Sequence, residues 1–198
     1  RAITSFADLS VRQSTHDALR RMDITIPTKI QAETLPILLD GRDVIGQSRT
    51  GSGKTLAFGI PAVESVDANV RAVQVLVLTP TRELAVQVGS VLGELTQGTG
   101  MRVALVYGGR ALGPQIQELR RGAQIVVGTP GRVADLYQQR ALVLDKVHFL
   151  VLDEADEMLD RGFAPQVNQI LGWTPKDRQT APFSATMPEG RADASPRR

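Results

Sequence analysis

Ser48-Arg49-Thr50-Gly51-Ser52-Gly53-Lys54-Thr55 is the stretch on which the reading of this 198-residue chain turns. A short apolar run, Val44-Ile45, precedes it, and Leu56-Ala57-Phe58-Gly59-Ile60 follows in a pattern that continues as a helix. A glycine-rich turn between a strand and a helix gathers backbone N–H groups around one point, and the helix N-terminus adds partial positive charge there. Lys54 can reach the outer phosphates of a nucleotide, and Thr55 can set a hydroxyl on Mg²⁺. The general phosphate-loop pattern has Gly where Ser48 stands. Taken alone, the stretch therefore also reads as an ordinary loop, since Gly, Ser and Thr are common loop residues.

The surroundings favour the nucleotide reading. From Asp43 onward, short apolar runs recur at 44–45, 72–78, 102–106, 124–127, 146–152 and 179–183. They are β-branched and continuously apolar rather than alternating, as strands buried on both faces are. Helical segments lie between them. In 81–96, Leu84, Val88, Val91, Leu92 and Leu95 form one stripe. Segments 113–121, 131–140 and 154–171 complete the set, and two further helices are expected near 11–21 and 28–39, the second started by Pro27. Such alternation predicts an α/β domain: a parallel β-sheet with helices on both faces.

Ligands gather at the carboxyl ends of the strands in such sheets. The polar motifs fall at those ends. Residues 50–55 follow the first run, Thr79-Pro80-Thr81-Arg82-Glu83 the second and Gly108-Gly109 the third. Thr129-Pro130-Gly131-Arg132 follow the fourth, Asp153-Glu154 the fifth and Ser184-Ala185-Thr186 the sixth.

Composition bounds the rest. The length fits one domain with a core that needs no disulfides. There is no Cys, which excludes a disulfide framework, a thiolate metal site and a cysteine nucleophile. No apolar run approaches membrane-spanning length and no signal-peptide pattern is present, so a soluble, cytoplasmic protein is expected. The formal charge is +2, and the last eight residues supply that much alone, so net charge gives no support for nucleic-acid binding. The tail 189–198 has Ala as its only apolar residue type and is expected to be disordered.

Asp153-Glu154 closes an apolar strand, His148-Phe149-Leu150-Val151-Leu152. Asp153 suits Mg²⁺, directly or through water, and Glu154 can polarise the water that attacks a γ-phosphate. An acidic pair also suits a plain helix start. About a hundred residues after a phosphate loop, the pair points to nucleoside triphosphate hydrolysis.

The full run Asp153-Glu154-Ala155-Asp156 resembles the DEAD-box ATP-dependent RNA helicases, in their first RecA-like domain, a P-loop NTPase fold. Pro80-Thr81-Arg82-Glu83-Leu84-Ala85, Gly108-Gly109, Thr129-Pro130-Gly131-Arg132 and Ser184-Ala185-Thr186 match the family's motifs in order. Pro27-Thr28-Lys29-Ile30-Gln31 looks like the end of its adenine-reading motif, and Phe6 stands where the family keeps an upstream aromatic. The resemblance covers 6 to about 188. It implies ATP and Mg²⁺ as ligands, with Lys54, Asp153 and Glu154 catalytic and Thr55 and Asp153 on the metal. It implies nucleotide contacts from Phe6, Ile24, Lys29, Gln31, Arg49, Thr50, Gly51, Ser52 and Gly53 as well. Pro80, Thr81, Arg82, Gly109, Thr129, Pro130, Gly131 and Arg132 would follow the sugar–phosphate backbone of one RNA strand with little sequence preference. Asp156, Ser184 and Thr186 would couple the nucleotide site to closure on a second domain. From the residues alone, Gln31 also reads as a surface polar residue, and the others as helix caps, turn glycines or surface Arg.

The chain departs from the family at several points. Ile24 stands where an adenine-stacking aromatic is usual, and Ser48 and Arg49 replace the usual Ala and Gln. Pro182 falls inside an expected interior strand, where it predicts an interruption or shift, because Pro cannot donate to the ladder. After Pro188 the resemblance fades. The family's second RecA-like domain, with its arginine fingers and its half of both sites, is absent from this sequence. The domain is therefore placed at 1–188. It reads as the N-terminal domain of an RNA helicase that binds nucleotide without unwinding by itself. The alternative is a stand-alone nucleotide-binding interaction module without turnover. His16 and His148 read as structural, and Met158, Leu159, Phe163 and Trp173 as core or interface residues.

Overall fold

The central strands form where the apolar runs are longest. In the computed structural model, which describes residues 3–49 and 53–185, Val75–Leu78 (β2), Ile125–Gly128 (β4) and Phe149–Leu152 (β5) make the middle of a parallel six-stranded sheet. Gly46–Gln47 (β1), Val103–Val106 (β3) and Gln179–Ser184 (β6) complete it in the order β1-β6-β5-β2-β4-β3. Every pairing is parallel, with Leu78 opposite both Leu152 and Gly128. Parallel strands need crossovers, and helices supply them. These are Lys54–Ser65 (α3), Arg82–Thr96 (α4), Leu112–Arg120 (α5), Pro130–Gln138 (α6), Ala155–Asp160 (α7) and Ala164–Trp173 (α8), preceded by Gln13–Arg21 (α1) and Lys29–Leu39 (α2).

Alternation along each strand sends side chains to two separate cores. Val75, Val77, Phe149, Val151 and Phe183 pack against α1 to α4. Leu76, Leu78, Val126 and Leu150 pack on the other face against α6 and α8. Both faces are dry, which is why these strands read as continuous apolar runs. A reciprocal clamp ties α1 to α3. Glu64 accepts from the Arg12 N–H and the Thr15 hydroxyl, while the Arg12 guanidinium donates to the carbonyls of Val63 and Val66.

Three expectations need correction. The expected helix 154–171 is two helices, broken at Arg161-Gly162-Phe163, where Gly162 has φ +80° and ends α7. The first strand is Gly46–Gln47 rather than 44–45. Pro182 does not interrupt β6, which runs unbroken to Ser184. Its effect falls on β1. The Gln179 N–H donates to His148 on the β5 side, and the Thr180 N–H points to Asp43 on the β1 side. Alternation then turns position 182 toward β1. Without an N–H there, the ladder to β1 begins only at the Gly46–Phe183 rung. Among the described residues, no helix is long and apolar enough to cross a membrane. Thr50, Gly51, Ser52, Thr186 and the tail 189–198 lie outside the described residues.

Candidate active site

The sheet order sorts the motif-bearing loops into two groups. The loops after β1, β6 and β5 are neighbours, and those after β2, β4 and β3 are neighbours, so the nucleotide motifs gather on one side and the remaining motifs on the other.

On the first side, α3 begins at Lys54, directly after Gly53, whose φ of +86° is the left-handed turn that the loop needs. Lys54 is only 5% exposed, Asp153 1% and Glu154 4%. The Lys54 Nζ stands 3.1 Å from Asp153 Oδ1 and is also paired with Glu154 Oε2. Burial pushes the Asp153 carboxyl up, Lys54 pulls it down, and Glu157 adds to the rise. Glu154 caps α7 with φ +55° and ψ +50°, a conformation that non-glycine residues adopt at a cost of about 1–2 kcal/mol. The strand end thus turns sharply and delivers both carboxylates to the lysine. Ser184, at the end of β6, is tied to the chain just after β1, since its carbonyl accepts from the Ser48 N–H at 2.9 Å. Asp156 Oδ1 accepts from the Glu157 N–H at the start of α7.

Gln31 is buried against the phosphate loop. Its Nε2 donates to the Gly53 carbonyl at 2.8 Å, and its Oε1 accepts from the Thr28 N–H in a capping box at the start of α2. One donor and one acceptor site of the amide remain for a ligand. Thr55 is half-buried in the first turn of α3. Lys29 and Arg49 are exposed and line one cleft with Thr28, Ser48 and Ala185. Ile24 is half-buried, and Asp23 before it has φ +58°. Phe6 is 2% exposed, its N–H donates to the Thr25 carbonyl, and it lines a second cleft with His16, Ile24 and Thr25.

On the second side, α4 and α6 both point their N-termini at the same rim of the sheet. The Thr81 hydroxyl caps α4 by accepting from the Leu84 N–H, and Arg82 is exposed. Thr129 precedes α6 without a side-chain cap bond, and Pro80 and Pro130 are buried. Gly108, Gly109 and Gly131 would each have open space around an added Cβ. Internal packing therefore does not require glycine at Gly131, and a ligand can come close to its backbone. Arg132 bridges two loops, donating from Nη1 to Gln115 Oε1 at 2.9 Å and from Nη2 to the Arg110 carbonyl at 3.0 Å. Gln115 in turn donates to the Tyr107 carbonyl. The sequence reading missed Gln115, and only its place in the first turn of α5 after Gly108-Gly109 could have suggested it. Leu159 is exposed and outside the core, whereas Tyr137 and Trp173 stack with ring centroids 4.1 Å apart.

A model of the family described as DEAD/DEAH box helicase matches residues 28–194. The ATP-dependent RNA helicase DeaD of Klebsiella pneumoniae is 50% identical over 187 residues, covering 94% of this chain and 29% of that protein. The RNA helicase CrhR of Synechocystis is 48% identical over 185 residues, covering 93% of this chain and 37% of that protein. The crystal structure of a DEAD box protein from the hyperthermophile Methanococcus jannaschii aligns with a TM-score of 0.93 and 40% identity, over 98% of this chain and 53% of that one. The chain thus spans well under half the length of these curated relatives. With the family model matching most of its length and the motifs assembled on one rim of the sheet, this chain belongs to the DEAD/DEAH box helicase family.

Proposed function

We propose that residues 1–188 form the N-terminal, ATP-binding RecA-like domain of an ATP-dependent RNA helicase. One observation carries this reading: a buried lysine at the start of α3, paired with two buried carboxylates at the end of β5. A cation, a metal-binding carboxylate and a base are the parts that phosphoryl transfer to water needs. Lys54 would hold the outer phosphates, helped by the N-terminus of α3 and by Arg49, Thr50, Gly51, Ser52 and Gly53. Glu154, fixed by its left-handed backbone, would orient and deprotonate the attacking water. Gln31, Lys29 and Ile24 would face the base and ribose, with Phe6 beside Ile24.

Asp153 and Thr55 offer oxygen donors only, which suits Mg²⁺. Asp153 Oδ1 is buried and faces the Lys54 Nζ at 3.1 Å, so this oxygen donor stands at the start of α3, where Thr55 also lies. Among the described residues no cluster of three or more His, Cys, Asp or Glu is arranged for a metal ion. That fits an ion held by one or two carboxylates with substrate phosphates rather than in a protein cage. Mg²⁺ bound there would neutralise charge building on the phosphates.

The second group of loops would seat single-stranded RNA. Arg82 and Thr129, with the N-termini of α4 and α6, would contact phosphates, and Gly109 and Gly131 would admit the backbone closely. Arg132 would hold the loop 107–110 in place. Asp156, Ser184 and Thr186 would pass nucleotide state to a second RecA-like domain, which also supplies arginine fingers worth roughly three to five orders of magnitude in rate. We place the protein in the cytoplasm, where its RNA substrates are.

The test is titration of the 198-residue chain with ADP in Mg²⁺. Binding that Lys54→Ala abolishes, with no duplex unwinding by the chain alone, is the expected result. Absence of binding at millimolar ADP, or unwinding by this chain by itself, overturns the reading.

A further inference from the structure

A cavity of about 350 Å³ opens at the amino ends of β2, β4 and β5, on the rim opposite the motif-bearing loops. The segments leading into those strands, at 71–73, 122–123 and 141–146, meet around it beside Leu119 of α5. Its volume lies at the small end of the range for binding cavities, about 300–1,000 Å³. The strands between are four residues long, so at about 3.3 Å per residue it stands about 13 Å from the loops assigned to nucleotide and RNA.

Its floor is apolar. Ala123 and Leu142 belong to the second core, with Val73, Leu119 and Ala141 packed against it. Val143 stands at the edge, 61% exposed between the buried Leu142 and Leu144. The rim is basic. On the lining, or next to it in the chain, are Arg71, Arg120, Arg121, Arg140 and Lys146, against Glu118 and Asp145, and all seven are exposed. Glu118 lies 3.8 Å from Arg121, an exposed pair that contributes little. Residues 1–190 balance to zero formal charge, so the basic excess here is a local one. Arg71 is held in place. Its Nη2 donates to the Arg121 carbonyl at 2.7 Å, and its guanidinium lies against Gly122, where an added Cβ would come within 3.2 Å. A cation fixed in this way loses little freedom when a partner binds.

We propose that this cavity is a docking site for an acidic peptide segment of a partner protein, which seats an apolar side chain on the floor and sets carboxylates against Arg71, Lys146 and the arginines around them. Charge complementarity selects this occupant. The chain's own tail, 191–198, holds three Arg and one Asp and would be repelled. A second copy meeting the site face to face would bring the same basic rim. Single-stranded RNA would satisfy the cations, but no aromatic residue lines the cavity, so bases would find no stacking surface. An apolar anchor surrounded by carboxylates uses both the floor and the rim. The site is independent of the nucleotide and RNA assignments.

The test selects random phage-displayed peptides on the immobilised 198-residue chain, then measures a labelled synthetic copy of the enriched sequence by anisotropy. Enriched peptides are expected to carry several Asp or Glu around a Leu, Phe or Trp. Val143→Asp and Lys146→Glu, both at exposed positions, should each weaken the peptide about tenfold or more, as for residues at the centre of an interface. Raising salt from about 0.05 to about 0.5 M should weaken it as well, since the rim contacts are exposed to screening. No enrichment, enriched peptides without an acidic excess, or equal binding to the wild type and both variants overturns the proposal. Labelled poly(U) is titrated in parallel. If it binds the wild-type chain, loses affinity on Lys146→Glu and displaces the peptide, the rim is an RNA surface and the proposal is again overturned.

Discussion

Replacing Lys54 by methionine keeps the length of the buried stem and removes the cation between Asp153 and Glu154. Breaking a buried pair by deleting one partner typically costs about 3–5 kcal/mol, because the other charge is left uncompensated. Protonation offers an escape. Neutralising a carboxylate of ordinary pKa at about pH 7 costs about 4 kcal/mol, at about 1.4 kcal/mol per pH unit, which bounds the loss from above. The expected destabilisation is therefore about 3–4 kcal/mol near neutrality, a large part of a typical domain's stability. Its pH dependence identifies the cause. The Asp153 carboxyl is already raised by burial, with Lys54 the main influence pulling it down. Removing Lys54 raises it further. A folded-state pKa above the unfolded one gives stability that is complete below the unfolded value and lost as pH rises through the folded value. The deficit of the variant should thus shrink on acidification, to about 1–2 kcal/mol near pH 5. Urea unfolding followed by the fluorescence of Trp173, the single tryptophan, measures it at each pH. A deficit below about 1 kcal/mol at neutrality, or one that is flat from about pH 5 to 7.5, would refute the reasoning that Lys54 neutralises this pair.

Three further substitutions probe other parts of the site. Gly53→Ala forces a left-handed φ on a side chain whose Cβ would land on Gln31 Nε2, so a loss of about 1–3 kcal/mol in unfolding free energy is expected, together with weaker ADP binding. Ile24→Phe restores a stacking surface, worth about 1–3 kcal/mol per base, and should tighten ADP at least fivefold by calorimetry; unchanged affinity would remove Ile24 from the base site. Arg132→Lys keeps the charge but cannot span Gln115 and the Arg110 carbonyl together, so affinity for a labelled single-stranded RNA should fall several-fold by anisotropy. Equal affinity for the two proteins would mean that charge alone matters there.

Much of this was legible in the sequence, for physical reasons. Runs such as Val75–Leu78 and Ile125–Gly128 are apolar on both faces, and only a parallel sheet covered on both sides accommodates them. Polar residues at strand ends followed from that. The break at Gly162 was missed because the apolar spacing of 154–171 carries across it, and only the left-handed backbone there stops the helix. Pro182 was read as a threat to its own strand, whereas the missing donor faces outward to β1 and shortens that neighbour instead. Which side a strand N–H faces depends on register, and register is not local information. The same holds for the Arg132–Gln115 bridge, whose meaning depends on a partner 17 residues away along the chain.

The bond from the Asp153 N–H to the Leu78 carbonyl lies where the two groups of loops meet. Mechanically, β2 and β5 form one stiff plate across that seam. Sliding one strand by a single residue would turn every side chain to the opposite core, and the ladder resists even smaller shear. The ends of the two strands are held at about the inter-strand spacing of 4.8 Å. Information crossing the seam inside this domain must therefore travel by rotation of side chains and bending of loops, over a baseline that does not stretch. A plate of this kind is a ruler rather than a hinge: it fixes how far apart the two groups of loops sit, and any large movement has to occur against it.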